Sequence, residues 1–224
     1  MHHQSTMKIG TDAIILGAWV NLKGVERVLD VGTGSGIIAM ILAQRGIQDI
    51  EAIEIDEKSA QEAHMNFEVS QWSSRFTLHH RDARDFGKQC KNFFDLIISN
   101  PPFFYDSFQG NRARRNLARH AGCLEFNDLL RISSECLKPG GSLAVVIPSI
   151  EFERFMKDAK SNGFFLCQKL NIIPVDGKAP NRLNLLLKME LQNQIEETFF
   201  TIRKQDGSFT PGYYELLKDF YLGF

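Results

Sequence analysis

The chain has 224 residues, 43% of them hydrophobic, which is ordinary for a globular protein that buries one large core. Its formal net charge of −1 excludes a global basic field, so any nucleic-acid partner must be held by local patches. The N-terminal MHHQSTMKIG lacks the apolar segment of a signal peptide, and the longest early apolar run, residues 13–20, is far shorter than the ~20 residues of a membrane span. We therefore expect a cytoplasmic protein that does not enter a membrane.

The four cysteines show no pattern of a metal or disulfide site. No CxxC pair is present, and no histidine stands at metal-ligand spacing from Cys90, Cys123, Cys136 or Cys167. We expect reduced thiols, as in a cytosolic protein, and no bound metal.

Predicted strands and helices alternate along the chain. Apolar runs bounded by turn residues predict strands at 27–31, 50–55, 75–79, 93–99, 143–147, 164–173 and 183–191. Helical spacing and end signals predict helices at 13–20 (with Thr11 and Asp12 as the N-cap), 37–44, 57–70, 124–137 and 151–160. The alternation predicts a single α/β domain over residues 1–224, with a mostly parallel seven-stranded sheet covered by helices on both faces. The last two strands are expected to form a hairpin, and the aromatic-rich tail from residue 196 to pack against the domain.

The stretch LDVGTGSG, residues 29–36, joins the first strand to a helix. Gly32, Gly34 and Gly36 allow the backbone to pass close to a ligand, at the crevice where open α/β sheets bind ligands. A dinucleotide fingerprint would need glycine at position 37, which is Ile37, and Asp30 before the loop would repel a pyrophosphate. An acid there attracts an ammonium group instead, which favours S-adenosylmethionine.

Two further acids follow strands at places suited to the same cofactor. Glu54 ends the second strand, where a carboxylate can accept both ribose hydroxyls. Asp82 follows the third strand and can accept from the adenine amino group, with the backbone of Ala83 at the ring edge. Each acid alone is also compatible with a solvated strand end, but the ordered set of three favours a cofactor site.

The stretch ISNPPFF, residues 98–104, ends the fourth strand with an amide, two prolines and two aromatic residues. A conjugated amine such as that of adenine needs acceptors for its two N–H bonds, and the side chain of Asn100 and the carbonyl of Pro101 can supply them. Pro101 and Pro102 stiffen the loop, and Phe103 can stack on a flat base, with Phe104 as a further substrate contact. Because the strand should end beside the methyl group, Asn100 is also a candidate cofactor contact. A proline turn that merely ends a strand is the alternative.

Motifs along nearly the whole chain resemble the bacterial valine-tRNA adenine N6-methyltransferase family. They are NPPFF, MKIGTDAIILGAW, the ARH of residues 118–120 and the C-terminal LLKDFYLGF. The resemblance implies a class I methyltransferase with a Rossmann-like fold that methylates adenine 37, next to the anticodon of the tRNA. It also implies that residues 1–23 cover the cofactor, with Lys8, Thr11 and Asp12 near its methionine end.

The segment of residues 105–123 is polar and basic and has no clear period. We expect it to be a substrate loop whose cations bind phosphates, although a solvated charge run has the same composition. The candidate contacts are Arg114, Arg115, Arg119, His120 and, near the closing strands, Arg182. Arg119 and His120 are favoured because they match the family motif.

The same chemistry leaves other substrates open. Guanine N2 in ribosomal RNA, adenine N6 in DNA and a release-factor glutamine are all planar amines, and a non-catalytic RNA-binding module would keep the same fold. Intact Asn100 and Pro101 favour an enzyme, because a binding module has no need of that amide. We expect tRNA as the partner and a monomer.

Overall fold

The computed structural model describes residues 10–102 and 124–220 and contains an eight-stranded sheet in the order β3-β2-β1-β4-β5-β7-β6-β8. The strands are β1 (Arg27–Val31), β2 (Asp49–Glu54), β3 (Phe76–His80), β4 (Phe94–Ser99), β5 (Leu137–Pro148), β6 (Phe165–Val175), β7 (Arg182–Lys188) and β8 (Glu196–Arg203). The helices are α1 (Thr11–Trp19), α2 (Ile37–Gln44), α3 (Glu57–Val69), α4 (Ala83–Gly87), α5 (Phe126–Cys136), α6 (Phe152–Ser161) and α7 (Pro211–Leu217). No helix within the described ranges is long and apolar enough to cross a membrane.

Most strands of the sheet point the same way. Strands β1 to β5 pair in parallel, β7 pairs antiparallel with both β5 and β6, and β8 pairs in parallel with β6. The mostly parallel sheet and the β6–β7 hairpin are therefore confirmed. As a result, the carboxyl ends of β1 to β6 and of β8 lie at one edge, which is where ligands bind in such sheets.

The prediction of seven strands is wrong, because β8 adds an eighth strand at the edge next to β6. Its sequence begins with charged residues, and Phe199 is 66% exposed, so it lacks the apolar run of a buried strand. Only Phe200 and Ile202 pack against the cluster that holds Tyr213 and Leu217 of α7. The tail does pack against the domain as expected, through strand β8 as well as helix α7.

Helices cover both faces of the sheet, and this explains why apolar residues occupy consecutive positions in the central strands. On β5, Leu143, Val145 and Ile147 pack on the side of α5 and α6, whereas Ala144 and Val146 pack on the side of α1 and α2. A strand that is buried on both faces has no polar alternation, so it appears in the sequence as a continuous apolar run.

The ends of two helices differ from the prediction. The N-cap of α1 is Gly10, so the prediction that Thr11 and Asp12 form the cap is wrong. Asp12 lies instead in the first turn, where its carboxylate accepts a hydrogen bond from Arg182 at 2.8 Å. The short helix α4 was not predicted, and its N-cap is the side chain of Asp82.

Candidate active site

Four neighbouring strands bring the predicted cofactor and amine-binding residues to one edge of the sheet. Gly32, Glu54, Asp82 and Asn100 come at or just after the ends of β1, β2, β3 and β4, which are adjacent in the order β3-β2-β1-β4. The hydroxyl of Ser99 is buried and donates to the carbonyl of Val31 at 2.7 Å, which holds the end of β4 against the end of β1. The sheet topology therefore places these residues around one crevice.

The three glycines of the loop are needed for different structural reasons. All three have positive φ, at 71° for Gly32, 58° for Gly34 and 85° for Gly36, a conformation that strains other residues. A Cβ on Gly32 or Gly34 would meet no atom within 4 Å, so both face open space that a ligand can occupy. A Cβ on Gly36 would lie 2.5 Å from the ring of Phe67, so α3 packing by itself requires glycine there.

Asp30 is a fully buried acid directly before the loop. Its Oδ2 accepts a hydrogen bond from the hydroxyl of Thr33 at 2.6 Å, whereas its Oδ1 has no partner among the described residues. Burial raises the pKa of Asp30 from 3.8 to about 7, the Thr33 hydroxyl and the Ala39 N–H oppose the rise, and the Glu54 carboxylate adds to it. A buried carboxylate with a free oxygen is ready to receive a cation.

Glu54 is already engaged by the backbone. Its Oε1 accepts from the N–H groups of Ile55 and Asp56, and its Oε2 accepts from the N–H of Gly34, each at 2.9 Å. A carboxylate has about four acceptor positions, so three are filled and one remains. This arrangement orients Glu54 and couples it to the glycine loop, and its contact with the ribose hydroxyls stays a prediction.

Asp82 is held in a similar way by one neighbour. It caps α4 through the N–H of Arg84 at 2.8 Å, and the Arg84 guanidinium approaches both carboxylate oxygens, at 2.6 Å from Nη2 to Oδ2 and 3.0 Å from Nε to each oxygen. Hydrogen bonding from Arg84 lowers the pKa of Asp82, and the same pairing raises the pKa of Arg84. Ala83, in the first turn of α4, has a backbone N–H with no acceptor inside the helix.

Asn100 presents an acceptor without a donor. Its Oδ1 is buried and has no hydrogen-bond partner among the described residues. Pro101 is buried and Pro102 is half-buried, and neither has an N–H to donate. The end of β4 is therefore rich in acceptors and poor in donors, which suits a group that arrives with two N–H bonds.

These features match a known protein family. A family model described as the methyltransferase small domain matches residues 5–168. The chain belongs to this methyltransferase family. A relative from Trichodesmium erythraeum is 38% identical over 219 residues, 96% of this chain and 91% of its own length. Another from Pasteurella multocida is 36% identical over 225 residues, 100% of this chain and 93% of its own length. Both are named tRNA1(Val) (adenine(37)-N6)-methyltransferase.

Solved structures show the same fold. A predicted O-methyltransferase from Agrobacterium tumefaciens superimposes with a TM-score of 0.67 at 20% identity, covering 93% of this chain and 96% of that one. A putative RNA methyltransferase from Pyrococcus horikoshii gives 0.57 at 18% identity, covering 84% and 87%. The class I methyltransferase fold is thus confirmed, and with it the expectation of an enzyme that uses S-adenosylmethionine.

The ion pair between Asp12 and Arg182 joins two residues that were predicted to have separate roles. Arg182 begins β7 opposite Pro148, at the same edge as Asn100, and its Nε lies 2.8 Å from Asp12 Oδ2. Thr11 precedes Asp12 at the start of α1 and is half-buried. The pair holds α1 against the edge of the sheet. The contact of Arg182 with RNA and the contact of Asp12 with the cofactor both remain predictions.

Part of the predicted site concerns residues that the structure does not describe. Seven candidate residues lie outside the described ranges: Lys8, Phe103, Phe104, Arg114, Arg115, Arg119 and His120. Within those ranges, no group of three or more His, Cys, Asp or Glu side chains is placed to bind a metal ion.

Sequence reasoning missed three residues that shape the site of this methyltransferase. Thr33, Ser99 and Arg84 each fix a neighbouring functional group by one or more hydrogen bonds. Thr33 and Arg84 stand three and two residues from the acids that they bind, so a search for short-range partners would have found them. The partner of Ser99 is 68 residues away, and no local pattern indicates it.

Proposed function

We propose that this methyltransferase transfers a methyl group from S-adenosylmethionine to the N6 amine of adenine 37 in valine tRNA. The names of relatives that span nearly the whole chain support this substrate. The single observation that carries the proposal is the buried, unpartnered Oδ1 of Asn100 at the end of β4.

An aromatic amine is a weak nucleophile because its lone pair is delocalised into the ring. An acceptor for each N–H favours a more tetrahedral nitrogen, which returns the lone pair to the nitrogen. Asn100 Oδ1 supplies one acceptor and the carbonyl of Pro101 the other, and the two prolines keep this pair rigid. Fixed positioning of a reacting group is a large catalytic contribution and requires no strong general base.

The crevice beside Asn100 fits the cofactor. When bound, S-adenosylmethionine supplies a methyl group activated by its sulfonium. Gly32 and Gly34 would allow close approach of its chain, Asp30 would hold its ammonium group, and Glu54 and Asp82 would each accept a hydrogen bond from its adenosine. The cofactor's adenine edge would face the N–H of Ala83, and each of these contacts is part of the proposal.

The RNA partner is proposed to be the anticodon loop. A loop base is unpaired or easily unstacked, so its extrusion costs only a few kcal/mol. Phe103 and Phe104 would stack on the base, and the basic loop of residues 105–123 would contact flanking phosphates. We keep the single domain over residues 1–224, with residues 1–23 covering the cofactor, and a monomer as parts of the same proposal.

The test compares the wild type with Asn100→Ala on tRNA from a strain that lacks this gene. Tritiated S-adenosylmethionine and digestion to nucleosides should place label in N6-methyladenosine. Asn100→Ala should lower the transfer rate by about 100-fold, the range for one preorganised polar group. Cofactor affinity and unfolding temperature should stay close to wild type, because the amide oxygen has no partner among the described residues to lose.

Other outcomes point to other functions. Label in N2-methylguanosine, or in DNA or a release factor with tRNA unlabelled, would keep the chemistry and change the substrate. An Asn100→Ala variant that transfers at the wild-type rate would refute the role given to the amide.

A further inference from the structure

Unpartnered buried polar atoms recur on one face of the sheet. Asp30 Oδ1, Asn100 Oδ1 and both amide atoms of Asn184 are buried and lack hydrogen-bond partners in the described part of the chain. Asp30 lies on β1, Asn100 directly follows β4, and Asn184 lies on β7, so the three are next to or within the predicted site. Native interiors leave few polar groups unpaired, so each such group needs an explanation.

Asn184 and Asn100 lie at the same level of the sheet. Asn184 pairs with Val146 on β5, and Ser99 pairs with Val145, so Asn100 is level with Val146 as well. Asn184 and Asn100 are therefore two strand spacings apart, roughly 10 Å between their backbones. Because side chains alternate along a strand, Asn184 shares the face of Leu186, which packs with Val146 in the core cluster under α1 and α2.

An asparagine at position 184 does not stabilise the fold. Asn184 is 0% exposed within the run Leu183-Asn184-Leu185-Leu186-Leu187, and a buried amide without partners costs more than an apolar side chain of similar size. Asn171 on the neighbouring strand β6 shows the usual solution. It is also buried, and its Nδ2 donates to Glu197 Oε1 at 2.7 Å and to the carbonyl of Thr198 at 3.2 Å.

We propose that Asn184 is a specificity-determining residue for the target base. This inference rests on the proposed function. Asn184 Nδ2 donates to a ring nitrogen beside the target amine, N1 or N7, while Asn100 Oδ1 accepts from the amine. Two hydrogen bonds of about 3 Å and the short distance from the amine nitrogen to the neighbouring ring nitrogen span most of the separation between the two strands, and the side chains supply the rest.

The chemistry selects adenine. N1 of adenine is an acceptor and N1 of guanine carries a proton, so a contact to N1 rejects guanine at Asn184 itself. N7 is an acceptor in both purines, so with a contact there guanine is rejected at Asn100, because its O6 replaces the amine. Because Asn184 is fully covered, the base reaches it only when the edge closed by Asp12 and Arg182 opens as tRNA binds.

The variants Asn184→Leu and Asn171→Leu form a matched pair of buried amide deletions. Asn184→Leu should keep or raise the unfolding temperature, leave cofactor affinity unchanged, and lower kcat/KM on tRNA by about 5- to 20-fold, as for one neutral hydrogen bond. Asn171→Leu should lower the unfolding temperature, because it removes two hydrogen bonds, and leave transfer by the folded protein unchanged.

Substrates with 1-deazaadenosine or 7-deazaadenosine at the target position test the contact in the wild type, without any variant. One of the two should react about 5- to 20-fold more slowly with the wild type and lose nothing further with Asn184→Leu. The inference would be overturned if Asn184→Leu transferred the methyl group as fast as the wild type. It would also be overturned if the wild type methylated both deaza substrates at the same rate. Absence of adenine methylation by the wild type would instead overturn the proposed function.

Discussion

Replacement of Asp30 by asparagine should make the empty protein more stable at neutral pH while weakening its cofactor site. Asp30 is fully buried, and burial raises its pKa from 3.8 to about 7. Asparagine has nearly the same shape, and its oxygen can still accept from the Thr33 hydroxyl, which lies 2.6 Å from the carboxylate. The change therefore removes a charge that the fold disfavours and leaves the packing intact.

The magnitude follows from the difference between the folded and unfolded pKa. A raised pKa means that the folded protein binds the proton more tightly, so Asp30 contributes stability that is complete below pH 3.8 and is lost as the pH rises through about 7. Between about pH 5 and about pH 8 this loss amounts to about 3 kcal/mol in the wild type. The asparagine side chain does not titrate, so the variant should not show it.

Urea denaturation, followed by the fluorescence of Trp19 and Trp72, measures this difference without cofactor. Titrating groups that do not interact with Asp30 act equally on both proteins, so the free energy of unfolding of the variant minus that of the wild type reports Asp30 and its coupling to Glu54. It should rise by about 3 kcal/mol from about pH 5 to about pH 8. Titration calorimetry should show weaker binding of S-adenosylmethionine by the variant, because the ammonium loses its carboxylate. A difference that does not change with pH would refute the buried, proton-binding role of Asp30.

Three further predictions concern the same crevice. Gly36→Ala should lower the free energy of unfolding by about 3 kcal/mol, because it adds a Cβ 2.5 Å from Phe67 to the strain of a positive φ. Gly34→Ala should cost only the strain of its positive φ, about 1 kcal/mol, and should mainly weaken cofactor binding, since its Cβ would face open space. Urea denaturation and calorimetry separate the two, and equal stability losses would contradict the distinction. Glu54→Gln should raise the cofactor Kd and lower the free energy of unfolding by about 1–3 kcal/mol, because the new amide NH2 group would face a backbone N–H. An unchanged urea midpoint would argue against the hydrogen bonds between Glu54 and the backbone. Arg84→Gln should raise the KM for the cofactor and leave the KM for tRNA unchanged in steady-state kinetics, and a rise in the KM for tRNA alone would count against it.

Much of the fold could be predicted from the sequence, because a strand that is buried on both faces shows a run of consecutive apolar residues. Consecutive apolar residues occur around Leu29, Ile53 and Ile97, and the structure covers them on both sides. Where only part of a strand is buried, as around Phe199 in β8, the apolar run is short and the strand was not predicted. The short helix α4 was missed because five residues are too few to show a helical period.

The candidate site shows the same division. Gly32, Gly34 and Asn100 stand out in the sequence because close backbone approach and a proline-bounded amide need particular residue types at adjacent positions. Their arrival at one crevice could also be foreseen, since parallel strands end at one edge of a sheet.

Tertiary structure alone decided which polar groups have partners. Asp12 pairs with Arg182 across 170 positions of the chain, and Asn171 donates to two acceptors on β8, whereas Asn184 has no partner in the part of the chain that the structure describes. Residue type and periodicity record how deeply a side chain is buried and which backbone conformation it allows. They do not record which distant group completes a hydrogen bond, because that depends on strand order and register, which bring together residues that are far apart in the chain.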